Sequence, residues 1–233
     1  MSKIILITGT SKGIGKAIAN YYLKKDNIVI GCSRSESSIN HKNYRHFSLE
    51  INNEIAVVNM IKNIKKEFQK IDILINNAGI ASMNHILTTS IDTISKLFNT
   101  NFIGTFLFTR EVSKVMMKQK NGRIINFTTV AKPLRLEGEA VYASSKAAIE
   151  TFTQTASKEL APFNITVNAI GPTPIQTDLI KAIPKNKIDE LLNKQTIKRF
   201  GTFEDIINVC DFFCDDKSNF ITGQIIYLGG VNN

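Results

Sequence analysis

The chain has 233 residues, of which 43% are hydrophobic, and it carries a formal net charge of +9. We expect one domain over residues 1–233 and a cytoplasmic protein without a membrane partner, because the N-terminal apolar run is too short for a signal peptide and no stretch approaches the roughly 18 apolar residues that span a bilayer. The lysines are spread over the chain without interleaved aromatic residues, so the charge predicts a solvated basic surface and no nucleic-acid partner.

A short apolar run at residues 3–7 leads into a glycine-rich turn at residues 8–15, which opens a helical pattern. In such a strand–turn–helix unit Gly9 permits the tight turn, Gly13 lets the backbone approach a phosphate, and Gly15 lets the helix pack closely on the strand. The sequence therefore predicts a dinucleotide-binding turn. The alternative, a glycine-rich turn that binds nothing, fits three glycines at the end of one strand less well.

Further short apolar runs alternate with helical patterns to the end of the chain, at residues 28–32, 45–49, 71–76, 123–128, 166–170 and 224–228. Nearly continuous apolar strands separated by helices indicate an α/β fold, a doubly wound parallel sheet with helices on both faces. Ligands bind such sheets outside the carboxyl ends of the strands, where the strand order reverses. We expect the glycine turn and residues 76–79 to meet there.

Tyr142 and Lys146 stand four residues apart in a stretch with helical spacing, so one turn places phenol and ammonium on the same face. A positive charge within a few ångströms favours the phenolate, and we expect it to lower the pKa of Tyr142 toward the range of a general acid or base. Alone, the spacing also fits a packed ring beside a solvated amine.

Three cysteines, Cys32, Cys210 and Cys214, form an odd and scattered set. Cys210 and Cys214 share a helical face, but no histidine is placed to complete a metal site with them. We therefore expect buried thiols and no metal.

Several motifs agree in order and spacing with those of the short-chain dehydrogenase/reductase family, which the chain resembles over essentially its whole length. The matching motifs are the cofactor turn at residues 8–15, the Asn-Asn-Ala-Gly segment at residues 76–79, the helix asparagine Asn101, the catalytic pair Tyr142 and Lys146, and the nicotinamide-side loop at residues 171–177. The resemblance implies a Rossmann-like sheet of about seven strands and assembly into homotetramers or homodimers.

The resemblance also implies reversible hydride transfer between a nicotinamide and a carbonyl or alcohol carbon. Tyr142 would donate its proton to the carbonyl oxygen, and Lys146 would lower the tyrosine pKa and bond the nicotinamide ribose. Asn101 would hold a water that links Lys146 to solvent. The family usually has a serine where Thr129 stands; its hydroxyl could bond the same carbonyl oxygen, and Thr128 is the alternative.

The residues after the second predicted strand bear on the choice of cofactor. An acidic side chain there would bond the ribose 2′-hydroxyl of NAD and repel a 2′-phosphate, but Ser33 and Arg34 occupy this place. Arg34 and Lys12 resemble the family's NADP-preferring pattern and could clamp the phosphate, so we favour NADP(H) over NAD(H). Two points argue the other way, since both cations could be ordinary surface charges and Glu36 lies two residues further on. The predicted cofactor site comprises Gly9, Ser11, Lys12, Gly13, Ile14, Gly15, Ser33, Arg34, Glu50, Ile51, Asn77, Ala78, Gly79, Tyr142, Lys146, Pro172, Ile175 and Thr177.

The substrate is less well defined by the sequence. The chain is most similar to 3-oxoacyl-acyl-carrier-protein reductases of fatty acid biosynthesis, and residues 173–198 resemble their substrate lid. Three cations, Lys118, Lys120 and Arg123, could then dock an acidic carrier protein, although cations are also favoured at a helix C-terminus. Phe163 stands where a second carrier-binding arginine would be expected.

Two alternatives to a carrier-linked substrate therefore stay open. One is a reductase of the same family that acts on a keto sugar or another small carbonyl or alcohol in a biosynthetic pathway. The other is a catalytically silent protein that only binds the dinucleotide. The complete set of Asn101, Tyr142 and Lys146 favours an enzyme, because function depends on the site and not on the fold.

Overall fold

The structure, a computed structural model, describes residues 2–176 and 185–232, the side chains of residues 185–187 excepted. Within these residues seven parallel strands form one sheet in the order β3-β2-β1-β4-β5-β6-β7. The strands are β1 (Ile4–Thr8), β2 (Ile28–Ser33), β3 (Tyr44–Ser48), β4 (Ile73–Asn76), β5 (Gly122–Phe127), β6 (Ile165–Gly171) and β7 (Ile225–Tyr227). Each predicted apolar run overlaps one of these strands, and the predicted doubly wound parallel sheet is confirmed.

Helices cover both faces of the sheet. They are α1 (Gly13–Lys24), α2 (Glu54–Phe68), α3 (Ile91–Phe98), α4 (Gly104–Gln119), α5 (Ala131–Leu134), α6 (Ala140–Leu160), α7 (Lys185–Asn193) and α8 (Phe203–Cys214). Alternate residues of β1 enter two separate cores, because successive strand side chains point to opposite faces. Ile4 and Leu6 pack with side chains of α2 and α4, whereas Ile5 and Ile7 pack with those of α1 and α8.

The strand order reverses between β1 and β4, which pair with each other in the middle of the sheet. The loops that leave the carboxyl ends of these two strands therefore diverge to opposite sides, and a crevice opens between them. The glycine turn follows β1 and residues 77–79 follow β4, so both predicted segments border this crevice.

The cysteines are free and buried, as predicted. Among the residues that the structure describes, no group of three His, Cys, Asp or Glu side chains could hold a metal ion. None of the described helices is both long and apolar enough to cross a bilayer.

Candidate active site

A cavity of about 1190 Å³ lies at the carboxyl edge of the sheet, over the point where the strand order reverses. Segments that follow β1, β2, β4, β5 and β6 line it together with α6. Pockets for drug-sized ligands measure roughly 300–1,000 Å³, so this cavity has room for a dinucleotide and a small substrate together.

The glycine turn forms one wall of the cavity. Gly9 and Gly13 have φ angles of +79° and +59°, which L side chains rarely adopt. A Cβ on Gly15 would collide with the Gly9 carbonyl oxygen and with Nδ2 of Asn77. The first turn of α1 receives no hydrogen bond from the side chain of Lys12, which precedes it, so its N–H groups remain available to an anion.

The segment after β4 contacts both the glycine turn and α6, the helix that contains Tyr142 and Lys146. Nδ2 of Asn77 donates to the Thr8 carbonyl oxygen at 2.9 Å, and the Ala78 N–H donates to Oγ1 of Thr8 at 3.0 Å. A Cβ on Gly79 would lie 3.1 Å from Oδ1 of Asn101 and 3.3 Å from Nζ of Lys146. Glycine at this position therefore lets two predicted site residues approach the backbone of the loop.

Asn101 lies on a wider, π-helical turn at Asn99–Ile103, between α3 and α4. It is fully buried, and its amide makes three hydrogen bonds: Nδ2 donates to the Ile80 carbonyl and to Oγ of Ser145, both at 3.0 Å, and Oδ1 accepts from the Ile80 N–H at 2.9 Å. Its own carbonyl accepts from Oγ1 of Thr105 at 2.7 Å. The side chain thus joins the loop after β4 to α6 from behind the cavity.

Lys146 and Tyr142 lie on α6, and both line the cavity. Lys146 is 5% exposed, its Nζ donates to the Phe127 carbonyl at 2.8 Å, and burial lowers its pKa to about 8. Burial raises the pKa of Tyr142 to about 12, the hydroxyl of Thr129 lowers it, and the carboxylate of Glu139 raises it. The predicted lowering of the Tyr142 pKa by Lys146 is therefore wrong for this structure, because desolvation dominates and the ammonium is bonded to a backbone carbonyl.

The two candidate threonines differ in what their hydroxyls contact. Oγ1 of Thr128 donates to Oε1 of the buried Glu150 at 2.6 Å, an oxygen that also accepts from the Tyr227 hydroxyl at 2.5 Å. Thr129 borders the cavity beside Tyr142, where its hydroxyl accepts a 3.2 Å bond from the Ala131 N–H and contacts the Tyr142 phenol. Thr129 is thus the threonine whose hydroxyl can reach a substrate.

The opposite end of the cavity holds the residues predicted to select the cofactor. Arg34 and Lys12 line it, and neither side chain has a hydrogen bond or an ion pair with another residue that the structure describes. Glu36 accepts a hydrogen bond from Oγ of Ser48 at 2.9 Å and does not line the cavity.

Most of the predicted site residues meet in this one cavity. Gly15 and Asn101 do not line it but lie directly behind it. Thr177 lies outside the described residues, as does the middle of the predicted lid, residues 177–184. From the described part of the lid, Thr173 and Leu191 line the cavity.

The three cations predicted to dock a carrier protein lie elsewhere. Arg123 is the second residue of β5 and Lys118 lies in the last turn of α4, so both stand at the amino end of β5, whereas the cavity is at its carboxyl end. Arg123 is only 5% exposed and donates to the Gly122 carbonyl at 3.0 Å. These cations therefore lie at the edge of the sheet opposite the cavity, and their docking of an acidic carrier protein stays a prediction.

Sequence reasoning missed Glu139, which lines the cavity, and Glu150, which holds the hydroxyl of Thr128. Glu139 stands three residues before Tyr142 at the start of α6, a spacing that places two side chains on one helix face. The three-residue spacing from Tyr142 is therefore the feature of the sequence that could have identified Glu139 as a site residue. Nothing in the sequence indicates Glu150, because its partners Thr128 and Tyr227 are distant in sequence and are brought to it by the fold.

Comparisons with known proteins agree with this geometry. A family model for short chain dehydrogenases matches residues 3–188. The 3-oxoacyl-[acyl-carrier-protein] reductase FabG of Staphylococcus epidermidis is 33% identical, with 99% of this chain and 98% of that protein covered, and FabG of Escherichia coli is 31% identical, with 98% and 96% covered. A structure of ElxO with NADP bound superposes with a TM-score of 0.91 at 31% identity, covering 99% of this chain and 98% of that one. The aldohexose dehydrogenase AldT of Thermoplasma acidophilum gives 0.90 at 27% identity, covering 99% and 94%.

Proposed function

The chain belongs to the short-chain dehydrogenase family of oxidoreductases, and we propose that it reduces a carbonyl group to a secondary alcohol with NADPH. The observation that carries this proposal is that Tyr142, Lys146 and Thr129 line the same cavity as the glycine turn. A proton donor and a dinucleotide-binding turn in one enclosed space are the two requirements of carbonyl reduction.

The residues of the cavity fit a nicotinamide dinucleotide, which is the cofactor of this enzyme. The glycine turn and the free N–H groups of α1 would hold its pyrophosphate, since Gly9 and Gly13 line the cavity and leave the backbone accessible to a phosphate. Glu50 and Ile51 would contact the adenine, Asn77 and Ala78 the adjacent ribose, and Pro172, Ile175 and Thr177 the nicotinamide side. When bound, the cofactor supplies the hydride.

The preference for NADP(H) is supported by charge. Arg34 and Lys12 face the cavity without partners in the described residues, and a 2′-phosphate would pair with both. Glu36, the acidic residue that could favour NAD(H), is bonded to Ser48 outside the cavity. ElxO, one of the similar structures, was solved with NADP bound.

The protein groups act on the substrate oxygen. Because the pKa of Tyr142 is about 12, the phenol keeps its proton at neutral pH and donates it to the carbonyl oxygen as the hydride arrives. The hydroxyl of Thr129 donates to the same oxygen. Lys146, with a pKa of about 8, stays charged at neutral pH, and its ammonium would bond the nicotinamide ribose. The water predicted at Asn101 stays a prediction.

Two substrate classes follow. The first is a 3-oxoacyl thioester, which is supported by the relatives named 3-oxoacyl-[acyl-carrier-protein] reductase. The second is a hydroxylated carbonyl compound such as a keto sugar, which is favoured by the carboxylate of Glu139 in the cavity wall. Residues 1–233 would act as one domain with a lid at residues 173–198, and assembly into homotetramers or homodimers stays a prediction.

The test is the loss of NADPH absorbance with acetoacetyl thioesters, keto sugars and simple ketones. We expect Tyr142→Phe to lower kcat/KM on the order of 10²- to 10⁴-fold while NADPH binding persists. Tyr21→Phe is the matched control, because that hydroxyl bonds Asp211 outside the cavity. Tight NADPH binding by the native protein without turnover of any substrate would instead identify a silent dinucleotide-binding protein.

A further inference from the structure

One carboxyl group in the cavity wall has no hydrogen-bond partner among the described residues. Glu139 is 8% exposed, and its Oε2 is fully enclosed without a hydrogen-bond partner in the described part of the chain. Burial raises its pKa to about 7. A buried carboxyl group without a partner is unfavourable for the folded protein, so its place in a ligand cavity calls for a ligand that supplies one.

Helix capping does not account for Glu139. The residue immediately precedes α6, where an acidic side chain commonly accepts a hydrogen bond from the first helical turn, but this side chain makes no such bond. The backbone alone serves the helix start: the Glu139 carbonyl accepts from the Ala143 N–H at 2.7 Å, and its N–H donates to the Leu136 carbonyl at 3.3 Å. The side chain of Glu139 therefore does not cap α6 and lines the cavity instead.

The neighbouring loop holds Glu139 in place. The Gly138 carbonyl accepts from the Asn84 N–H at 2.8 Å, and a Cβ on Gly138 would lie 3.1 Å from Cγ of Met83. The loop after β4 therefore packs directly on the residue that precedes Glu139, and Met83 supplies an apolar wall of the same cavity. A buried carboxyl group beside an apolar side chain in a cavity wall is an arrangement that fixes the orientation of a ligand.

Glu139 also lies close to the reacting oxygen. Its carboxylate acts on the pKa of Tyr142, and the hydroxyl of Thr129 acts on the same phenol. A carbonyl oxygen held by Tyr142 and Thr129 would bring the substituents of the carbonyl carbon to the carboxyl group.

We propose that Glu139 is a specificity-determining residue that accepts a hydrogen bond from a hydroxyl group beside the reacting carbonyl of the substrate. The proposal rests on the proposed reductase activity and narrows its substrate to hydroxylated ketones, the class that includes keto sugars. A 3-oxoacyl thioester has no hydroxyl beside its keto carbon and would leave the carboxyl group unpaired. A site built to bond a substrate hydroxyl discriminates strongly against the analogue that lacks it.

The test compares 1-hydroxy-2-butanone with 3-pentanone, which carries a methyl group in place of the hydroxyl. We expect the native enzyme to favour the hydroxyketone by about tenfold or more in kcat/KM. In Glu139→Met the ratio should fall to about one. Glu139→Gln should keep part of the preference, because its amide oxygen still accepts a hydrogen bond.

A ratio near one in the native enzyme, or a ratio that stays high in Glu139→Met, would overturn the assignment. So would a lower melting temperature of Glu139→Met, because it would show that the carboxyl group serves the fold. Turnover of 3-pentanone reports the reductase activity separately from the preference. Reduction of an acetoacetyl thioester with turnover of neither ketone would overturn the role of Glu139 alone, whereas bound NADPH with turnover of none of the three would refute the proposed function as well.

Discussion

Replacement of Lys146 by methionine should change how stability depends on pH. The substitution keeps the apolar stem and removes an ammonium that is 95% shielded from solvent, its relative exposure being 5%. In the folded protein burial lowers the pKa of Lys146 to about 8 from an ordinary value of 10.5. Folding therefore disfavours the charged lysine, and this penalty is absent in the methionine variant.

The magnitude follows from the two pKa values. Below pH 8 the lysine is charged in both folded and unfolded chains, so the penalty of burial is present in full. Between pH 8 and 10.5 the unfolded chain binds a proton that the folded chain has released, so the free energy of unfolding rises with pH. One pKa unit corresponds to about 1.4 kcal/mol, and between pH 7 and pH 10 the contribution of Lys146 should rise by about 2.5 kcal/mol.

The assay is urea unfolding of the native protein and of Lys146→Met at half-unit steps from pH 7 to pH 10. The difference between the two stabilities isolates Lys146, because the other titrating groups, including Tyr142, are present in both proteins. Lys146→Met also loses the hydrogen bond to the Phe127 carbonyl. This loss shifts the difference in stability by a similar amount at each pH where the lysine is charged. A difference that stays flat from pH 7 to pH 10 would refute the burial of a charged lysine and its role at neutral pH.

Three further substitutions test other parts of the site. Thr129→Val should lower kcat/KM on the order of 10²-fold in steady-state assays, whereas Thr129→Ser should retain most of the native kcat/KM. Equal losses of kcat/KM in the two variants would exclude the hydroxyl as a donor. Gly79→Ala should lower the melting temperature by about 2–4 °C in calorimetry, because the new Cβ would lie 3.1 Å from Oδ1 of Asn101 and that side chain would have to yield. Arg34→Glu should weaken NADPH binding by about 10- to 100-fold and leave NADH binding largely as it was, measured by fluorescence titration, whereas Lys24→Glu should change neither. Equal losses for both cofactors in Arg34→Glu would show that the arginine does not bind the 2′-phosphate.

The sequence predicts the sheet well because its central strands, β1, β4, β5 and β6, are buried on both faces. All five residues of β1 are buried, for example, so the strand reads as an unbroken apolar run. The glycine turn could also be predicted from the sequence, because the positive φ at Gly9 and the close contact at Gly15 each require glycine. Both signals are local, and the structure has both features where they were predicted.

The parts that the sequence did not reveal depend on tertiary packing. The sequence predicts Arg123 at the start of a strand and as a cation that could dock a carrier protein, yet in β5 the residue is only 5% exposed. The pKa of Tyr142 was expected to fall beside Lys146, but its depth in the cavity raises it to about 12. The π-helical turn at Asn99–Ile103 is stabilised by bonds from Asn101 to Ile80 and Ser145, partners that lie far away in sequence.

The central claim is that Tyr142 completes a carbonyl reduction whose hydride comes from NADPH in the same cavity. The most direct measurement uses NADPH that carries deuterium at the transferring C4 position and a ketone that the enzyme consumes. Mass spectrometry of the alcohol should find one deuterium on the carbinol carbon for the native protein, and Tyr142→Phe should form the same product far more slowly. An alcohol without deuterium, or an undiminished rate in Tyr142→Phe, would contradict the account.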